Sequence, residues 1–273
     1  MKLRTLVRID KSARRLAEIL GTLAKYGLAD WLSNVDYDWL RGLLKSDEGQ
    51  IIPDLSTEER IRQALSDLGP SFIKVGQILS TRPDLVGAEL TTEPAKLQTK
   101  TRPDSWEVIS ATLEDELGQP ISELFRDFSE TPIASASIGQ VHEATLPNGK
   151  SVVVKVMHRG IEDRVRRDLD LLLGLAELAE KHATQLRRYQ PVATARYFQR
   201  TLLRELDFSY ERRHLERFAA NFEDDETVHF PEIYPDLCAD RVLTMERLDG
   251  IPVTNIDALR ASGADLNEFA RRG

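Results

Sequence analysis

A chain of 273 residues, 41% hydrophobic and 30% charged, can build a core and is long enough for one large domain or a domain with an extension. Its net charge of −8 excludes general nucleic-acid binding, which needs a basic face toward phosphates. No run reaches the eighteen or so apolar residues of a membrane-spanning helix. The longest candidate, LDLLLGLAELAEKHA at 169–183, carries acids at helical intervals, so the chain is expected to be soluble.

Residues 1–125 read as helices. The first fifteen hold Lys2, Arg4, Arg8, Lys11, Arg14 and Arg15 against Asp10, with Leu6, Ile9, Ala13, Leu16, Leu20 and Leu23 at helical spacing. Such a basic amphipathic helix either packs on its own protein or lies against an anionic bilayer, which makes residues 1–30 a candidate peripheral membrane contact. Ser56 and Glu59 form a capping box opening a helix whose face is Ile61, Ala64, Leu65 and Leu68. Leu68-Gly69-Pro70 interrupts it, because proline cannot continue the hydrogen-bond ladder. A further helix runs through SFIKVGQILST and stops at Arg82-Pro83. TRPD occurs at 81–84 and 101–104 with unmatched flanks and reads as coincidence in two loops.

Strand signals begin near residue 133. IGQVHEATL alternates, Asn148-Gly149 suits a two-residue hairpin turn, and SVVVKVM is β-branched. Two helical segments follow at about 161–183 and 192–222, then a strand at about 241–247 and a turn at Gly250. The expected class is α+β: an antiparallel sheet with helices, in the order of a protein-kinase small lobe, behind an all-helical N-terminal extension. The expected divisions are 1–125, the extension; 126–250, the small lobe; and 251–273, the start of a large lobe.

Chemistry concentrates in three places. Lys155 lies among Val152, Val153, Val154 and Val156, and an ammonium buried mid-strand demands a carboxylate opposite. Glu205, Asp207 and Glu211 in ELDFSYE are the candidates, Asp207 and Glu211 sharing a helical face with Glu205 about 160° away. The competing reading is an edge-strand lysine reaching water. ASASIG, from Ala134 to Gly139, is a small-residue loop that allows close backbone approach, although alanine and serine disfavour the dihedrals glycine permits; Ser135 and Ser137 offer hydroxyls. In FIKVGQIL, Lys74 and Gln77 share a face around Gly76, and an interior glycine costs roughly 1 kcal/mol against alanine unless close packing requires it. A single cysteine, Cys238, excludes an internal disulfide. Histidines 142, 158, 182, 214 and 229 lack metal-ligand spacing and read as surface or packing residues.

Together LGPSFIKVGQILSTRPDLV, PIASASIGQVH, VVVKV, ELDFSYE and RVLTMERLDGIPV resemble, in order, the KxGQ element, alanine-rich loop, ATP lysine, ExD element and hinge of the UbiB family of atypical kinase-like proteins, the aarF-domain kinases. The resemblance runs from about residue 14 to the last residue. It implies that Lys155 contacts ATP phosphates with Glu205 as its ion-pair partner, these two being the catalytic pair in this chain. It implies that Ala134, Ser135, Ala136, Ser137, Ile138 and Gly139 cover the phosphates. Val141, Val153, Met245, Glu246 and Leu248 would line the adenine, and Lys74, Gly76 and Gln77 would engage the acids Glu205, Asp207 and Glu211. The alanine-rich loop implies nucleotide binding that disfavours ordinary protein phosphorylation. LTTEPAKLQTKTRPDS departs from the family's usual pattern there, so helix packing after the KxGQ element is expected to differ.

The family continues into a large lobe with a catalytic aspartate, an asparagine and a metal-binding aspartate. This chain is therefore expected to be catalytically incomplete, with ATP as cofactor and Mg²⁺ only where that lobe is supplied. The implied role is ATP-dependent support of ubiquinone biosynthesis from the cytoplasmic side of the inner membrane, with nucleotide, isoprenoid lipid or ubiquinone-biosynthesis proteins as partners. The rival is a non-enzymatic module that docks a partner protein or an isoprenoid lipid; a third reading is a gene fragment without independent function.

Overall fold

The structure, a computed structural model, describes residues 2–28, 55–83, 92–93, 96–97, 101–182, 187 and 190–272. The basic side chains expected along residues 2–12 lie outside what is described. Three helices come first: α1 (Lys2–Lys25), α2 (Thr57–Leu68) and α3 (Pro70–Ser80). The Ser56 hydroxyl accepts from Glu59 N, and Glu59 returns a bond to Ser56 N at 2.9 Å, so the capping box forms as expected. Gly69 ends α2 at φ +90° and Pro70 starts α3. Only glycine takes that dihedral cheaply, which is why the chain turns here rather than continuing as one helix.

After α4 (Trp106–Leu117) and one helical turn, α5 (Ile121–Leu124), the chain enters a five-stranded antiparallel sheet: β1 (Asp127–Phe128), β2 (Ala134–Ser135), β3 (Gly139–Thr145), β4 (Ser151–Met157) and β5 (Val242–Glu246). The order is β1-β3-β4-β5, with β2 also paired to β3. The β3–β4 connection is longer than the two-residue turn expected. Leu146 N bonds Lys150 O, Gly149 N bonds Leu146 O, and Gly149 sits at φ +89°. Three residues, Pro147 to Gly149, make the reversal, a turn closed by a left-handed glycine.

Between β4 and β5 lie α6 (Ile161–His182), α7 (Pro191–Glu205) and α8 (Phe208–Asn221); α9 (Ile256–Ala261) and α10 (Leu266–Arg272) follow β5. The single helix expected over 192–222 is in fact two. Asp207, at φ −133°, leaves the helical region and accepts from Ser209 N at 2.9 Å as the N-cap of α8, while Phe208 N donates to Asp240 O. Aspartate is a favoured N-cap because its carboxylate satisfies an orphan amide.

The sheet is buried on both faces. Val152, Val154, Val156, Ala144 and Val242 pack with Ile109 and Leu113 of α4. On the other side Met157, Leu243 and Ile138 join Val75 of α3, Val165 and Leu169 of α6, Leu202 of α7 and Phe208. Strand register (Val141↔Lys155↔Leu243 and Val153↔Met245) puts these residues on that second face, because side chains alternate along a strand. A further cluster of Ile19, Leu68 and Phe72 binds the first three helices to α6 through Leu171, Leu172 and Leu175.

Two polar networks are built into this core. Asp168 of α6, 1% exposed, takes two bonds from Arg15 of α1 at 2.7 and 3.0 Å and one from Ser71 of α3 at 2.6 Å, while Arg15 also donates to Leu68 O. Burial works against the Arg15 charge, yet its bonds to Asp168 and Glu18 more than offset this and raise the guanidinium's pKa above its ordinary range. In the second network Asp104 N donates to Gln140 Oε1, and His142 lies 2.8 Å from Gln140 Nε2 and 2.7 Å from Ser129 O. The second TRPD is thus structural: Asp104 also holds His158 at 3.2 Å and Arg159 N at 3.0 Å.

A carbonyl only accepts, so His142 Nδ1 carries the proton and Nε2 receives the Gln140 amide. Burial pushes the His142 pKa below its ordinary value, the bond to Ser129 opposing this in part. A depressed histidine pKa favours the folded state fully above the ordinary histidine range, and that contribution is lost as pH falls through the folded value. Urea midpoints are therefore expected to fall between about pH 7 and about pH 5, with His142→Asn showing a flatter profile. A parallel fall in both proteins would rule out His142 as the source.

Candidate active site

Lys155 occupies the middle of β4, and its Nζ lies 2.6 Å from Glu211 Oε2 on α8. The ammonium also stands 4.5 Å from the centroid of the buried Phe208 ring, an arrangement that holds a cation against a π face. Glu205, the partner that the resemblance implied, pairs instead with Lys74 Nζ of α3 at 2.6 Å. The break at Leu206–Asp207 explains the difference. Glu205 closes α7 and turns toward α3, whereas Glu211 lies one turn into α8, facing the sheet. Asp207 engages neither lysine; its carboxylate caps α8, with Arg213 at 3.8 Å.

The KxGQ residues divide likewise. Lys74 reaches an ExD acid, but Gln77 Nε2 donates to Leu97 O at 3.2 Å rather than to an acid. Gly76 is buried within α3.

The small-residue loop is a tight turn between β2 and β3. Ala136 N donates to Gly139 O and His158 N to Ile138 O. Ser137 is 1% exposed, and Ser135 Oγ lies 3.5 Å from His158 Nε2. His158 Nε2 also stands 3.0 Å from Ala136 O, tying the turn to Asp104. The loop's one glycine has a packing reason: a Cβ at Gly139 would sit 2.5 Å from Val156 O on the neighbouring strand. Glycine here answers the close approach of a backbone, not a need for positive φ.

A cleft of about 510 Å³ opens between this turn, β4, α3 and the α7–α8 corner, within the range of small-molecule sites. Of the expected residues it gathers Lys74, Ala136, Ser137, Ile138, Gly139, Lys155, Glu205, Asp207 and Glu211. Ala134, Ser135, Gly76, Gln77, Val141, Val153, Met245, Glu246 and Leu248 do not line it. Val141, Val153 and Met245 continue along the Lys155 face of the sheet. The Glu246 carboxylate is held below its usual range by the Glu232 amide and by His229. Thr201, Arg204, Phe208, Tyr210 and His214 also line the cleft and were not anticipated. Recognising Asp207 as an N-cap would have found the α7–α8 corner and its aromatic residues.

Cys238 is unsuited to nucleophilic work, because burial pushes its thiol pKa up and the thiolate is the reactive form. Among the described residues no three His, Cys, Asp or Glu side chains stand together as metal ligands, and no helix is long and apolar enough to cross a membrane.

An antiparallel sheet whose mid-strand lysine is ion-paired to a helix packed across it defines a protein-kinase-like small lobe. A family model described as the ABC1 atypical kinase-like domain matches residues 96–273. Relatives named "Probable protein kinase UbiB" occur in Pseudomonas paraeruginosa, 39% identical and covering 95% of this chain and 50% of the relative, and in Marinobacter nauticus, 42% identical and covering 81% and 40%. That of Shewanella oneidensis is 38% identical, covering 96% and 48%. A solved structure, the complex of Rv3197 with erythromycin from Mycobacterium tuberculosis, aligns with TM-score 0.46 at 27% identity, covering 70% of this chain and 48% of that one. The chain belongs to the UbiB family of ABC1 atypical kinase-like proteins, and it spans about half the length of the curated relatives it matches.

Proposed function

We propose that the cleft is the phosphate half of an ATP site. The observation that carries this reading is the Lys155 ammonium, held mid-strand by Glu211 and Phe208 and facing a space closed by the turn from Ala136 to Gly139. The residues present fit a polyphosphate: Lys155 is the direct contact, and Lys74, now bound to Glu205, is a second ammonium in the same cleft. Adenine would lie along Val141, Val153 and the backbone of Met245 to Leu248. ATP supplies the phosphoryl group; this chain's residues bind and orient it. Lys74 and Glu205 tie α3 to the site, so the KxGQ helix regulates access.

In the complete protein this supports ATP-dependent phosphotransfer or hydrolysis serving ubiquinone biosynthesis, with residues 1–30 contacting the inner membrane from the cytoplasmic side. Mg²⁺ ligands and a catalytic base would come from the large lobe. A second reading, a docking module for a protein or isoprenoid lipid, is favoured by the exposed Leu248, Ile251, Val253, Ile256 and Phe269. Titration with a fluorescent ATP analogue separates the two. Saturable binding that unlabelled ATP displaces, and that Lys155→Met weakens roughly tenfold or more, supports the nucleotide reading. Binding indifferent to that substitution, or none at all, sinks it.

A further inference from the structure

We infer that Arg204 takes the terminal phosphate of the nucleotide and so distinguishes a triphosphate from a diphosphate, an inference that rests on the ATP reading of the cleft. Three cations line that cleft: Lys74, Lys155 and Arg204. Both ammonium groups are committed, Lys155 to Glu211 and Lys74 to Glu205, each at 2.6 Å. The third carboxylate of the lining, Asp207, caps α8 and has Arg213 at 3.8 Å. Arg204 is exposed, and its guanidinium makes no ion pair and no hydrogen bond among the described residues.

This guanidinium is nevertheless held. Its Cζ lies 5.6 Å from the centroid of the Tyr210 ring, and the Tyr210 ring lies 4.4 Å, centroid to centroid, from His214. A ring face attracts the cation through its charge, and the in-plane N–H donors are not consumed by it. They stay available as a planar fork that matches phosphate oxygens. A cation also suits the last turn of α7, which accounts for a positive charge at this position but not for its standing without a carboxylate in a cleft where both lysines have one.

Strand register sets the order along the cleft. Val153 pairs with Met245 at the adenine end, and Lys155 pairs with Leu243, two residues nearer the start of β5. The Phe208 amide fixes the start of α8 to Asp240 O, two residues before that strand begins. A nucleotide whose base lies along Val153 and Met245 therefore runs its phosphates past Lys155 toward the α7–α8 corner. Arg204 is the uncommitted cation at that corner. The terminal phosphate, farthest from the base, is the group that reaches it, and a diphosphate falls short.

Calorimetric titration with ATP and with ADP, on the unsubstituted chain and on its Arg204→Gln and Lys155→Met forms, tests the assignment. Arg204→Gln is expected to weaken ATP roughly tenfold or more, as for a lost charge-assisted hydrogen bond, while changing ADP by less than about threefold. Lys155→Met is expected to weaken both nucleotides, which separates the site as a whole from its terminal subsite. The ADP titration also reports that Arg204→Gln keeps its fold. ATP affinity left intact by Arg204→Gln, or ATP and ADP weakened alike, overturns the inference and leaves the ATP reading standing. No binding of either nucleotide to the unsubstituted chain, or indifference of both to Lys155→Met, overturns the ATP reading and this inference with it.

Discussion

Asp168→Ala is expected to remove about 3–5 kcal/mol of folding stability, the usual consequence of deleting one partner of a buried charge pair. The carboxylate is the shared acceptor of Arg15 from α1 and Ser71 from α3, and its own helix, α6, packs against both. Without it the Ser71 hydroxyl loses its acceptor and the Arg15 guanidinium its buried counter-charge, keeping only Leu68 O and the more exposed Glu18. Removing the whole group tests the cause. Arg15→Met/Ser71→Ala/Asp168→Leu removes the guanidinium and the hydroxyl together with the carboxylate, leaving only the Leu68 carbonyl without its side-chain donor, and is expected to recover most of the loss. Urea unfolding measures both, and hydrogen exchange adds a local readout, with α1 losing protection first in Asp168→Ala. A single substitution costing under about 1 kcal/mol would mean that the three helices are held by their apolar cluster alone.

Lys155→Met is expected to lower affinity for a nucleoside triphosphate by roughly 10- to 150-fold, the equivalent of one charge-assisted hydrogen bond of about 1.5–3 kcal/mol. The side chain keeps its length and its packing on Phe208 but loses the charge. Glu205→Gln should act in the opposite direction. It removes a negative charge from the cleft and releases Lys74, so triphosphate affinity is expected to rise. The two acids are distinguished by double-mutant cycles on stability: Lys155 should couple to Glu211, at about 0.2–1 kcal/mol for so exposed a pair, and not to Glu205. Coupling to Glu205 instead would overturn the observed pairing.

The turn at Leu68-Gly69-Pro70 and the capping box at Ser56 were legible because each is decided within a few residues. A ring without an amide hydrogen, a side chain that reaches its own helix end and a missing Cβ act locally wherever they occur. The apolar alternation of β3 and β4 was legible for the same reason, and it correctly demanded an acid opposite Lys155. The choice among three acids was not legible. One continuous helix over 192–222 would put Asp207 with Glu211, whereas the chain breaks at Asp207 and uses that residue as a cap. Local capping preference argued for the break, but the bond from Phe208 N to Asp240 O joins residues far apart in sequence.

Gly139 and the histidines show the same limit. A glycine in a small-residue loop reads as freedom to approach a phosphate, yet its clearest constraint is the Val156 carbonyl of the next strand. His142 offers no sequence cue to its partners at Gln140 and Ser129. By itself the amino-acid order determined the element types, most of their boundaries, the class of fold and the need for a counter-charge to the mid-strand lysine, all of which follow from local dihedral preference and hydrophobic period. Only the tertiary structure decided which carboxylate meets which lysine, because ion pairs form between whichever charges the packed helices bring within hydrogen-bond reach. That assignment, Lys155 to Glu211 and Lys74 to Glu205, depends on where α7 ends and α8 begins.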